Sequence, residues 1–174
     1  MKFCLAALLI VRFASAQDQS AAEEQELVRA VTDANNSAVD TIRALENFLK
    51  KHPQTDRRKE IERALAKASI DSKDDRRIVL YGVPVLADSP QDIPTLDQVT
   101  AALLALGGRE NAENALKYAK SFEVLITEAP PPEGMDAARK QDERDKAMGR
   151  TLLYESRAES ILGDKEAAEA LASR

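Results

Sequence analysis

The sequence predicts an all-α protein, and its composition and its hydrophobic pattern both support that fold class. Six Gly and seven Pro among 174 residues are too few for the many tight turns of a β-rich fold. Apolar residues make up 44% of the chain, which is enough for a core, but only 4% are aromatic. Apolar side chains recur at intervals of three and four residues along most of the sequence, as they do on one face of a helix.

The first sixteen residues are typical of a signal peptide. Lys2 precedes an apolar run over residues 3–11, and the small residues Ala14 and Ala16 come just before Gln17, as at a signal-peptidase site. This run is too short to cross a membrane as a helix, which takes about 20 apolar residues. We therefore expect cleavage after Ala16, a periplasmic or secreted protein, and no stable membrane anchor once the leader is removed. An uncleaved anchor and a buried first helix are the alternatives.

Four helices are predicted in the first half of the mature chain. The first covers residues 21–34, the second lies between a Ser37 cap and Pro53, the third starts at Thr55, and the fourth covers residues 74–87. The predicted apolar stripes of the first three are Leu27, Val28 and Val31; Val39, Ile42, Leu45, Phe48 and Leu49; and Ile61, Ala64, Leu65 and Ala68.

Proline and glycine divide the rest of the chain. Pro84 follows Gly82 inside the fourth helix, and we expect a kink there because proline removes a backbone hydrogen bond and clashes with a carbonyl. Pro94 opens a fifth helix that stops at Gly107. The predicted apolar face of the fifth helix is Leu96, Val99, Leu103 and Leu106, and a sixth helix is predicted over residues 111–126. Later apolar positions are Met148, Leu152, Leu153, Ala158, Ile161 and Leu162. A turn at Gly163-Asp164 follows them, and an eighth helix is predicted from Lys165.

One segment resembles a tetratricopeptide unit, a helix pair of about 34 residues. It reads Leu96-x2-Val99-Thr100-x2-Leu103-x3-Gly107 followed by Ala112-x3-Leu116-x2-Ala119, although the sixth helix also aligns through Ala115 and Ala119. The resemblance implies a solenoid of about four antiparallel helix pairs, with a non-repeating helical bundle as the alternative. We expect a signal peptide at residues 1–16, tetratricopeptide-like repeats at 17–128, a Pro-rich connector at 129–134 and a further, truncated helix pair at 135–174.

Longer segments are similar to the N-terminal helical region of exported bacterial proteins in which such helices precede a thioredoxin-fold, TlpA-like redoxin domain. The similarity lies in residues 31–37, 42–53, 72–82, 109–119 and 162–168. It implies that redox chemistry, if any, belongs to a Trp-Cys-x-x-Cys segment in a later domain, because this chain has no Trp and a single Cys. A thiol-disulfide oxidoreductase whose redox domain is missing is therefore the alternative to a stand-alone scaffold.

The composition leaves little material for catalysis or for cofactors. One Cys and one His exclude most nucleophilic and zinc sites, and a net charge of −5 without a basic block argues against nucleic acid. His52 ends the second helix, where a lone His usually serves the helix dipole and solvent. We predict no catalytic, cofactor-binding or metal-binding residues, and an unknown protein or peptide partner. A lipid-anchored component of an envelope assembly is a third alternative, but the only Cys, Cys4, is badly placed for a lipid.

The tetratricopeptide resemblance also implies a concave face on the first helix of each pair. In this register the face carries Lys59, Glu62 and Asp97, with Ala66 and Ala101 one turn later. Some tetratricopeptide domains use Lys and Asn at such positions to hold a terminal carboxylate, and that set is absent here. We expect a solvated face, or an acidic one that suits a basic partner segment.

Overall fold

The computed structural model describes residues 21–35, 37–128 and 136–173, and within these ranges it contains eight α-helices and no strand. The helices are α1 (residues 21–33), α2 (Ala38–Lys51), α3 (Arg58–Ser72), α4 (Asp75–Asp88), α5 (Ile93–Leu106), α6 (Arg109–Glu128), α7 (Ala137–Leu162) and α8 (Lys165–Ala172). The prediction of an all-α protein is thereby confirmed. The leader with Ala14, Ala16 and Gln17, and the connector at 129–134, lie outside the described residues.

Side-chain caps fix where most of these helices begin. The first backbone N–H groups of a helix have no partner inside it, and a capping side chain can accept from one of them. Ser37 Oγ accepts from the Asp40 N–H of α2 at 3.3 Å, as the sequence predicted. Aspartate does the same for four later helices, through Asp74, Asp92, Asp136 and Asp164.

Every odd-numbered helix in the described ranges is followed by a residue with a positive φ angle. The φ angles are 47° at Asn35, 56° at Lys73, 68° at Gly107 and 95° at Gly163. A positive φ angle turns the backbone out of the helical path. We call these four residues the turn residues, and we call each odd-numbered helix together with the helix that follows it a helix pair.

The buried positions recur at fixed distances before the turn residues. An alanine lies five positions before each of them, and these are Ala30, Ala68, Ala102 and Ala158, of which the last three are at most 6% exposed. Eight positions before them lie buried Leu27, Leu65, Val99 and Glu155. The same face of each odd-numbered helix is therefore buried, and a small residue recurs where a second helix has to approach closely. This arrangement is compatible with a helical repeat.

Glu155 breaks this pattern, because it is a carboxylate at a position that is aliphatic in the other three pairs. It is 4% exposed and makes a polar or electrostatic contact within the chain. Removing one partner of a buried polar contact is destabilising, but leucine fills the volume that alanine leaves empty. We therefore expect Glu155→Leu to lower the free energy of unfolding by less than Glu155→Ala does, with a difference of about 1 kcal/mol or more. Glu155→Ala is the control and should lower it, because it leaves a cavity. Equal losses in urea denaturation for both variants would contradict the prediction.

The chain divides between Ile61 and Glu62 into two compact units. In the second unit, α4, α5, α6, α7 and α8 pack in chain order, each against the next, and α5 also packs against α7. Because α5 has three neighbours, it is buried on most sides. Its buried residues are Thr95, Leu96, Val99, Thr100, Ala102, Leu103 and Leu104. On α6, Ala112, Ala115, Ala119, Phe122 and Ile126 form the buried face.

Several apolar residues predicted to line buried stripes are exposed instead. They are Val28, Val31, Val39, Ala64, Leu106, Leu153 and Ile161. The prediction counted every apolar residue at helical spacing, whereas a helix buries only the arc that neighbouring helices cover. On α3 that arc includes Ala66 and Ser69 in place of Ala64.

The fourth helix is continuous from Asp75 to Asp88 with Pro84 inside it, and the kink stays a prediction. Gly82, two residues earlier, is buried where α4 meets α5. A Cβ atom at this position would lie 2.4 Å from Val99 Cγ2 and 3.6 Å from Thr95 Cγ2. Glycine is therefore required for the approach of these two helices.

Asp164 caps α8 and thereby fixes the turn between α7 and α8. Its side chain accepts from the Ala167 N–H at 2.9 Å. We expect Asp164→Ala to lower the free energy of unfolding by about 0.5–2 kcal/mol, as the loss of an N-cap does. Asp136→Ala removes the corresponding cap of α7, whose first turns are exposed, and should have a smaller effect. If thermal unfolding instead showed a larger loss of stability for Asp136→Ala than for Asp164→Ala, Asp164 would not be the residue that fixes this turn.

Candidate functional site

A polar cluster joins α5 to α7, the first helices of two consecutive pairs. The Tyr154 hydroxyl donates to Asp97 Oδ1 at 2.8 Å, and Arg150 Nε lies 3.6 Å from Asp97 Oδ2. Only 18% of the Asp97 side chain is accessible, against 48% for Arg150. Asp97, one of the predicted concave residues, is therefore held by side chains of the next pair.

Burial, together with the hydrogen bond to Asp97, raises the pKa of Tyr154 to about 12. A tyrosine whose folded-state pKa is raised keeps its proton more strongly in the folded protein, so unfolding releases that proton between about pH 10, the ordinary tyrosine value, and pH 12. Its contribution to stability is complete below pH 10 and is lost as the pH rises towards 12. In urea denaturation, the Tyr154→Phe variant should therefore lose less free energy of unfolding between pH 10 and pH 12 than the unmodified protein does. An unchanged pH profile in Tyr154→Phe would contradict this assignment.

The predicted concave residues are placed differently from one another. Lys59 is exposed near the start of α3 in the first unit, whereas Glu62 is half-buried in the second unit, and both make contacts within the chain. Ala66 is buried at 3% exposure. The concave-face assignment of Lys59, Glu62 and Asp97 stays a prediction.

Counting back from the turn residues shows which positions of the second unit are equivalent. Asp97 lies ten positions before its turn residue, and the equivalent positions in the other two pairs are Arg63 and Leu153. Glu62 is therefore not equivalent to Asp97 in this count. Six positions before the turn residues, Ala101 corresponds to Lys67 and Arg157. An alignment of α3 with α5 on the turn residues thus differs by one residue from the predicted alignment, which was anchored on Ile61 and paired Glu62 with Asp97. Arg63, Lys67, Leu153 and Arg157 are all exposed, and we call these four residues the basic face.

The part of the basic face on α7 combines positive charge with apolar surface. Leu153 is 63% exposed and lies between Arg150 and Arg157, one turn away on either side. Arg157 has no ion-pair partner in the described part of the chain. Arg150 is already paired with Asp97, so Arg157 beside Leu153 is the group that favours a ligand with apolar and carboxylate groups, because arginine can bind a carboxylate through two parallel hydrogen bonds.

A groove of about 620 Å³ lies beside Leu153. Residues of α7 form most of it, together with Leu171 and Ala172 of α8. Its lining is mainly apolar, and consists of Asp145, Met148, Gly149, Leu152, Leu153, Ser156, Leu171 and Ala172. The groove offers space for a side chain of a partner that contacts Leu153.

A second polar cluster lies in the first unit around His52, the C-cap of α2. Glu26 of α1 accepts from Lys51 Nζ at 2.7 Å, and the His52 ring lies within 3.5 Å of Glu23 and Glu26. Arg57 binds Glu24 at 3.0 Å. The position of His52 at a helix end predicted a role towards the helix dipole and solvent, and it did not predict these contacts.

Among the described residues, no group of three His, Cys, Asp or Glu side chains is arranged to hold a metal ion. No helix in the described ranges combines the length and the apolar character needed to span a membrane. No known protein family matches the chain, and neither does a curated protein or a solved structure.

Proposed function

We propose that the chain is an exported, tetratricopeptide-like scaffold that binds a protein segment rich in carboxylate and apolar side chains. The observation that carries this proposal is the repeat of buried positions before the four turn residues, together with packing of α5 on both α6 and α7. In a solenoid, such hairpins present the first helices of successive pairs on one surface. The leader predicted at residues 1–16 supports export.

The charges at equivalent positions favour an acidic partner over a basic one. Lys67 and Arg157 occupy the same position in two pairs, and Arg63 precedes Lys67 by one turn. Lys67 pairs with Asp71 of its own helix at 2.9 Å, but such an exposed pair contributes little and can be exchanged for a partner carboxylate. Asp97, the acidic residue of this set, is already bound by Tyr154 and Arg150. The exposed Leu153 and the adjacent groove supply the apolar contact.

Site-directed cross-linking tests the proposal in the envelope fraction. Leu153 is replaced by a photo-reactive phenylalanine, and the cross-linked segment is identified by mass spectrometry. We expect one dominant segment with an apolar residue between carboxylates. The matched control carries the same probe at Val124 of α6, which is 52% exposed and belongs to a second helix.

Charge reversal then separates specific binding from proximity. The pair Lys67→Glu and Arg157→Glu should weaken binding of the identified segment, prepared as a peptide, by about tenfold, or about 1.4 kcal/mol. Lys117→Glu with Lys120→Glu on exposed positions of α6 is the control and should leave the affinity unchanged. Equal cross-linking from Val124, or an affinity insensitive to Lys67 and Arg157, would exclude the basic face as the binding surface.

A further inference from the structure

One row of exposed residues on α7 is complementary to its own reverse. Residues four apart in a helix lie on one face, where they form a ridge against which another helix can pack. The exposed residues of this ridge, which we call the α7 row, are Asp145, Gly149, Leu153 and Arg157. When the row is set against an antiparallel copy of itself, Asp145 faces Arg157 and Gly149 faces Leu153. Opposite charges then meet at both ends, and a large side chain meets a small one in between.

The two charged residues of the α7 row have no ion-pair partner among the described residues. Asp145 accepts a hydrogen bond from the neutral Gln141 side chain at 2.7 Å, and Arg157 is exposed. Asp145 and Arg157 are about three turns apart on the same helix, which is too far for them to pair with each other. Both charges are therefore available to opposite charges on another molecule.

Gly149 lies inside α7, although no neighbouring group in the described chain requires a glycine there. Glycine destabilises a helix relative to alanine, and a Cβ atom at this position would meet nothing within 4 Å. Gly82 differs, because a Cβ atom there would lie 2.4 Å from Val99 Cγ2 of α5. Glycine permits the close approach of another molecule to the backbone, and the groove of about 620 Å³ beside Gly149 has room for a leucine side chain.

We infer that the chain forms a symmetric dimer in which the α7 rows of two copies pack antiparallel. Leu153 of each copy lies over Gly149 of the other, and each Asp145 binds the Arg157 opposite to it. One two-fold axis perpendicular to α7 produces both sets of contacts, and two-fold dimers are the commonest protein oligomers. The dimer uses two residues of the basic face but does not depend on the partner segment proposed above. That segment has to displace the second copy in order to contact Leu153.

Sedimentation velocity of the full chain at a series of micromolar concentrations tests the dimer. We expect the mass to rise with concentration from the 19.1 kDa of one chain towards twice that value. Gly149→Gln should weaken dimerisation by about tenfold or more, because the new side chain fills the space that Leu153 of the second copy occupies. The variant should keep its helical circular dichroism, since the position is exposed and open. Glu143→Gln, at an exposed position of α7 outside the row, is the control and should leave dimerisation unchanged.

An exchange of charges tests which residues face each other. Asp145→Arg alone and Arg157→Asp alone should each weaken dimerisation, because like charges then meet at both ends of the row. An equimolar mixture of the two variants should restore the dimer, since every arginine at the mixed interface faces an aspartate. A dimer that is unaffected by Gly149→Gln, or a mixture that associates no better than its components, overturns the inference. A chain that stays monomeric but binds the cross-linked segment overturns it while leaving the proposed function intact.

Discussion

Phe122→Ala is expected to lower the free energy of unfolding by about 3–5 kcal/mol, the cost of deleting a fully buried aromatic ring. Among the residues that the structure describes, Phe122 is the largest fully buried side chain and has no exposed surface. It belongs to the core of the second unit, together with Leu103 of α5 and Ala158 of α7. Because α6 packs against both of these helices, a cavity at Phe122 weakens two interfaces at once. Urea denaturation at constant pH measures the change.

Val124→Ala is the matched control for this loss. It lies two residues away on the same helix and is 52% exposed, so its truncation should change the free energy of unfolding by less than about 0.5 kcal/mol. Comparable losses in the two variants would mean that the buried face of α6 is assigned wrongly.

Gly82→Ala is expected to lower the free energy of unfolding by about 1–3 kcal/mol, although alanine is the better helix former. The added methyl carbon would lie 2.4 Å from Val99 Cγ2. Val99 is fully buried, and a β-branched side chain in a helix has a single preferred rotamer. The clash is therefore relieved only by moving α4 away from α5.

A double-mutant cycle with Val99→Ala tests this mechanism directly. Val99→Ala alone should destabilise the protein by leaving a cavity, but in the Gly82→Ala background it removes the clash. The double variant should therefore be more stable than the sum of the two single losses allows, by about 1 kcal/mol or more. Additive losses would show that the two positions do not touch.

Helix positions were predictable from the sequence because the signals that end a helix are local. Ser37 accepts from Asp40 three residues on, and Gly107 and Gly163 take the left-handed angles that glycine adopts readily. Lys73 also has a positive φ angle, although lysine rarely adopts one. Each of these features depends on fewer than five neighbouring residues.

Burial was less predictable because it depends on partners that are distant in sequence. Val39 lies on the apolar stripe of α2 and is 57% exposed, whereas Thr100 and Ser69 are polar and completely buried. Both buried hydroxyls donate to the carbonyl four residues earlier in their own helix, so burial leaves no unmet hydrogen bond.

The polar clusters were missed for the same reason. Tyr154 and Asp97 are 57 residues apart, and Glu26 and His52 are 26 apart. A signal for the second cluster was nevertheless present. An acidic start of α1 and the basic end of α2 meet when the two helices run antiparallel, which the predicted hairpin already required.

The four turn residues have a consequence for how such a chain can change its length. Each odd-numbered helix of the described chain is followed by its own residue with a positive φ angle, so the bend after it is a local feature. A gene segment that encodes a pair can therefore be duplicated, deleted or exchanged with its bend intact. The buried contacts between helices would then have to be refitted, for example in the core that contains Ala102 and Ala158.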